Sequence, residues 1–169
     1  MKTLNNYITE WKVSADNIYM FKGTCFIYKL TTNTKIKIFD KDWAQFKDYK
    51  DKVYINRKHV KIDDNGNSII KFKPGTCYVE IKDIDNVTNC QYMFFDCTDL
   101  VEVPLFDTSK VKNMYSMFYH CVNLREVPLF NISKVKDIDG MFYQCYKLSD
   151  ETRQNWLQIY DFIKNNKKK

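Results

Sequence analysis

The sequence predicts an α+β fold in three parts: a small β-rich amino-terminal module over residues 1–75, a stacked array of 24-residue repeats over 76–148, and a capping helix with a basic tail over 149–169. Three observations predict it. The segments Cys97 to His120 and Cys121 to Gln144 write nearly the same 24 letters twice, with 14 identities. A period of that length signals a stacked array, because one unit of this size cannot bury its own apolar side. Short alternating apolar runs fill the preceding seventy residues, and a single amphipathic run follows the repeats.

In chain order, Leu4, Ile8 and Trp11 are spaced for one face of a short opening helix. CFIYKL (25–30) and KIKIF (35–39) read as two strands around a turn at 31–34, since β-branched and aromatic residues dominate both. KDWAQFKDYK (41–50) places Trp43, Phe46 and Tyr49 on one side of a helix or loop. VYIN, HVKID and SIIKFK make further strands, with Asp64-Asn65-Gly66-Asn67 as the clearest hairpin turn because Asn-Gly accepts positive φ. Pro74-Gly75 marks the passage into the repeats, and the first module is expected to abut the first coil and cover its apolar end.

Each repeat divides into a strand, a cap and a helix. Val103 and Leu105, like Val127 and Leu129, are expected on one face of a short strand, with Glu102, Pro104 and Phe106 on the other. Asp107 or Ser109, and Asn131 or Ser133, can cap a following helical turn. Val111, Met114, Met117, Phe118 and Cys121 then form a helical stripe, copied by Val135, Ile138, Met141, Phe142 and Cys145. Leu100, Leu124 and Leu148 close each turn. A half copy from Val79 to Asp96 precedes the full repeats, and a partial one runs from Cys145 to Leu148. Stacking would set equivalent residues in ladders with strands ~4.8 Å apart. Ser149 or Asp150 can then start a helix in which Trp156, Ile159, Tyr160 and Ile163 share the covering face, with Arg153, Gln158 and Asp161 outward and residues 164–169 fraying into solvent.

The run L-x-x-V-x-L at Leu100 to Leu105 and Leu124 to Leu129 has the shape of a leucine-rich-repeat solenoid. The strings VPLFDTSKVKNMYSMFYHC and VPLFNISKVKDIDGMFYQC resemble the BspA-type leucine-rich repeats of bacterial surface proteins, also called the DUF285 repeat, over about residues 79 to 148. Such copies also occur in proteins of gut bacteria and their phages. The resemblance implies a non-enzymatic binding or adhesion scaffold with a protein partner. An alternative is a structural component of a larger assembly, such as a phage virion or tail. A candidate protein-binding face follows from the repeat: Glu102, Pro104 and Phe106 beside Arg125, Glu126, Pro128 and Phe130. Phe106 and Phe130 have two readings, as contact residues or as core tucked under a neighbouring loop.

Other function classes find little support. The formal charge of +6 divides into 13 Lys+Arg against 8 Asp+Glu over residues 1–70, 10 against 13 over 71–163, and 4 against none in the tail. That distribution is not the concentrated basic footprint of a nucleic-acid-binding domain. His59 and His120 stand in no motif with a nucleophile or metal ligand, and His120 shares its repeat slot with Asp96 and Gln144, so no catalytic, metal or cofactor site is expected. Cys97, Cys121 and Cys145 form one ladder, read as buried thiols, with disulfides as the alternative. Residues 1–14 lack the apolar core and cleavage site of a secretory leader, and no run of ~20 apolar residues spans a membrane. A cytoplasmic location as synthesised is therefore expected, with a virion or a cell surface reached through a partner as the alternative.

Overall fold

A computed structural model describes residues 25–166. The expected opening helix at Leu4, Ile8 and Trp11 and the last three lysines of the tail lie outside the described residues. In chain order the elements are β1 (Cys25–Leu30), α1 (Phe46–Tyr49), β2 (Val53–Ile55), β3 (Lys58–His59), β4 (Gly75–Ile81), a 3-10 turn (Ile84–Asn86), β5 (Leu100–Glu102) and α2 (Asp150–Asn166).

The five strands form one antiparallel sheet in the order β3-β2-β4-β1-β5. Alternation decides its faces: Phe26, Tyr28, Leu30, Val53, Ile55, Cys77, Val79 and Ile81 point into the core. A two-residue turn joins β2 to β3, with Asn56 at φ 49° and Arg57 at φ 68°, the left-handed pair that matches strand twist. Gly66, in the expected Asn-Gly turn, adopts φ 83°, and a Cβ there would lie 1.8 Å from Phe39 O. Its carbonyl accepts the Ile38 N–H at 2.9 Å, so the turn is a backbone docking point that only glycine can supply.

Two expected strands do not form. KIKIF and SIIKFK meet neighbours only at isolated bridges, Thr34 with Phe72, Lys37 with Asn67 and Ile62 with Ser68. The buried Ser68 hydroxyl accepts the Ile36 N–H and donates to Ile70 O. A side chain thus replaces the ladder, while adjacent Ile38 and Phe39 are both buried, which strict alternation forbids. Within 41–50 only Phe46–Tyr49 is helical, yet Trp43, Phe46 and Tyr49 all reach the core.

The expected boundary near residue 75 is not a boundary in packing. It falls at the first residue of β4, and the sheet carries strands from both sides of it, with β5 from the first full repeat paired to β1. Phe26 lies 5.0 Å from Phe94 and 6.0 Å from Phe106, ring to ring, so one continuous core crosses the junction.

The helices expected inside the repeats are absent among the described residues. In their place run successive four-residue turns closed by bonds from Met93 N to Cys90 O, Cys97 N to Phe94 O, Met117 N to Met114 O, Cys121 N to Phe118 O, Met141 N to Ile138 O and Cys145 N to Phe142 O. The third residue of every one is left-handed: Tyr92, Asp96, Ser116, His120, Gly140 and Gln144 have φ between 51° and 67°. A positive φ every four residues is incompatible with a helix, and it turns alternate N–H groups outward. Those donors bond the carbonyls 23 residues on: Cys90 to Asn113, Tyr92 to Tyr115, Phe94 to Met117, Asp96 to Tyr119, and, one rung later, Met114 to Asp137, Ser116 to Asp139, Phe118 to Met141 and His120 to Tyr143. The strand portion shrinks correspondingly to single parallel bridges, Glu102 with Glu126 and Asn113 with Asp137.

Rungs offset by 24 residues therefore stack at strand-like spacing. Phe94, Phe118 and Phe142 form a column with centroids 5.5 and 5.8 Å apart and planes within 7° of parallel. At the far end Ser149 accepts the Thr152 N–H and starts α2. Trp156 covers Phe130 and Phe142 at 5.9 and 5.6 Å. Arg153 was expected outward, but its guanidinium donates to Leu148 O and Cys145 O, closing carbonyls that a further rung would otherwise satisfy. Tyr160, expected on the covering face, is 37% exposed.

Candidate functional site

The residues of the expected contact face do not share one surface. Phe106 and Phe130 are core, each 4% exposed, in a tilted aromatic file running from Phe26 through both to Trp156. Leu105 and Leu129 take the outside instead, 67% and 56% exposed, which reverses the face assigned to them. Pro104 and Pro128 explain the reversal: lacking an N–H, each interrupts the ladder just where alternation would have to continue. Glu126 is a structural acceptor, its carboxylate taking the Ser149 and Thr152 hydroxyls at 3.0 and 2.8 Å. Glu102 lies in β5 against Ile27. Arg125 is exposed, and Pro104 and Pro128 are half-buried.

A second surface is more regular. Phe95, Tyr119 and Tyr143 stack face to face with centroids 4.7 and 5.0 Å apart and interplanar angles of 5° and 23°. Tyr92 stands edge-on to Phe95 and to Tyr115. Exposure rises along the column, from half-buried Phe95 and Tyr119 to Tyr143, with the exposed Tyr146 nearby in sequence. The signal was present in the sequence as Phe94-Phe95, Phe118-Tyr119 and Phe142-Tyr143. On a helix, adjacent aromatics lie only 100° apart; the left-handed turns put the first ring of each pair in the core column and the second in the outer one.

Beside this column runs the ladder Asp96, His120 and Gln144. His120 Nδ1 lies 2.6 Å from Asp96 Oδ1, while Lys37 reaches Asp96 at 3.6 Å and Asp40 at 3.0 Å. His59 Nε2 sits 2.8 Å from Asp51 O. Among the described residues no cluster of three or more His, Cys, Asp or Glu side chains could hold a metal ion.

The thiols of the ladder follow the rungs. Cys121 donates to Phe94 O and Cys145 to Phe118 O, both at 3.0 Å, and Cys97 donates to Ile38 O at 3.6 Å. All six cysteines are free, and five are buried. Burial pushes the Cys145 thiol up to about 12 and those of Cys90, Cys97 and Cys121 well above the ordinary range. They behave as small apolar groups, each with a weak donor.

These features define a protein whose surface, like its core, repeats every 24 residues. The model of a family described as "Mycoplasma protein of unknown function, DUF285" matches residues 72–165, more than half of the chain, and the chain belongs to that family. Comparison with curated proteins and with solved structures found no match. No described helix is long and apolar enough to cross a membrane.

Proposed function

We propose that the chain is a non-enzymatic, BspA-like leucine-rich-repeat module that binds a protein, built as a short solenoid with the sheet at one end and α2 at the other. The stacked column of Phe95, Tyr119 and Tyr143 carries this reading. Stacking holds the rings in register before any partner arrives, so little side-chain entropy remains to be lost on contact. Tyrosine also joins apolar area to a polar rim group, the combination enriched at protein interfaces. Leu105, Leu129 and Arg125 lie on the strand side of the same rungs and extend the exposed surface.

The test is affinity capture with the full chain and with Tyr143→Ala/Tyr146→Ala, two exposed positions whose replacement leaves the core intact. Loss of a captured protein at an unchanged melting temperature supports the reading. Equal capture by both forms removes the column from the binding surface.

A further inference from the structure

The sheet has an outer face that the described elements leave without a layer. Phe26, Tyr28, Cys77, Val79, Val53 and Ile55 turn inward, so Cys25, Ile27, Tyr54 and Tyr78 turn outward by alternation. The pairings bring these four together: Cys25 opposes Glu80, Ile27 opposes Tyr78, and Tyr54 opposes Glu80 from the other side. All four are half-buried, although the strands' principal contacts are with one another and the core lies on the opposite face. A sheet face with this apolar content needs a second layer.

The chain itself supplies a candidate at the right place. Residues 1–24 lead directly into Cys25, whose side chain is on that face, and β1 has partners on both sides in β4 and β5. A segment leaving the amino-terminal end of β1 therefore starts against the apolar cluster. It carries Leu4, Ile8 and Trp11 at the spacing of one helical face. Tethering makes the encounter intramolecular, with an effective concentration in the millimolar range. We propose that residues 1–24 are the occupant of this face, with Leu4, Ile8 and Trp11 set against Cys25, Ile27, Tyr54 and Tyr78. Burial, and secondarily the charge of Glu80, already pushes the Cys25 thiol up to about 12, as a cover over that position requires.

Cys25 is also the reporter, being the one cysteine outside the buried class. The full chain and its Leu4→Gln/Ile8→Gln/Trp11→Gln variant are treated with iodoacetamide under native conditions, and each labelled cysteine is located by peptide mass spectrometry. Alkylation of Cys25 is expected to be at least ten-fold faster in the variant, while Cys90, Cys97, Cys121 and Cys145 stay unlabelled in both, which shows that the body remains folded. Equal rates at Cys25 in the two proteins overturn the proposal. Protection of wild-type Cys25 that is lost on dilution overturns it too, because a second copy would then be the cover. Should the triple variant label throughout, Trp11→Gln alone is used, with the same two outcomes deciding.

Discussion

Replacing Gly140 by alanine separates the turn-built rung from the helix that the sequence pattern predicts, because the two give opposite signs. In a helix over 135–145 the change would stabilise by about 1 kcal/mol, alanine being the best helix former and glycine among the worst. In the structure Gly140 holds φ 67°, and a Cβ there would stand 2.8 Å from Ser116 Oγ. A left-handed alanine costs about 1–2 kcal/mol, and displacing the serine hydroxyl adds to that. The loss of unfolded-state freedom returns about 0.4–1 kcal/mol. The net expectation is destabilisation by about 1 kcal/mol, or a melting temperature lower by roughly 2–4 °C for a chain of this size. Urea and thermal melts of wild type, Gly140→Ala and Gly140→Ala/Ser116→Ala measure it, the double variant recovering the part due to the hydroxyl. A melting temperature that rises on Gly140→Ala would refute the reasoning and restore the helix.

Phe118→Ala removes the middle ring of the inner column, fully buried between Phe94 and Phe142; a cost of about 3–5 kcal/mol is expected, and a calorimetric melt unchanged within a degree would show that the rungs do not stack there. The buried thiols of Cys90, Cys97, Cys121 and Cys145 have folded pKa values raised above the unfolded one. Their contribution is fully present below the unfolded value of about 8.5 and is lost as pH rises, because only the unfolded chain can then ionise. Each should remove roughly 1.5 kcal/mol between pH 8 and pH 10; a urea midpoint that does not fall over this range contradicts the neutral-thiol ladder. Deleting residues 149–169 uncovers Phe130 and Phe142 and strips Arg153 from the last carbonyls, so aggregation or loss of a cooperative melt is expected. A soluble truncation with an unchanged transition would show that α2 is not a cap.

What could be read from the letters differs from element to element for identifiable reasons. The 24-residue offset was legible, since Val on Val, Met on Met and Cys on Cys follow from repetition whatever the local backbone does. The backbone was not. Inward positions at 114, 117, 118 and 121 match a helical stripe, and consecutive four-residue turns bury the same set. Periodicity alone cannot separate them, and the left-handed residues that decide the matter are Tyr, Asp, Ser, His and Gln as well as Gly. The contact face was misplaced for a related reason: strict alternation was carried through Pro104 and Pro128, where the ladder breaks.

By itself the sequence determined the period, the residues that form the buried columns and the position of the terminal helix, because these depend on which side chains avoid water and how often they recur. Tertiary structure decided where the backbone sends its hydrogen bonds. A lone repeat has no neighbour to receive the N–H groups of Tyr92, Phe94 and Asp96, and local rules then favour a helix that satisfies them within the segment. With a rung 24 residues on to accept them, the left-handed turns become the arrangement that leaves fewest donors unpaired. The same stacking sends Phe106 and Phe130 inward and brings Phe95, Tyr119 and Tyr143 to the surface as one column.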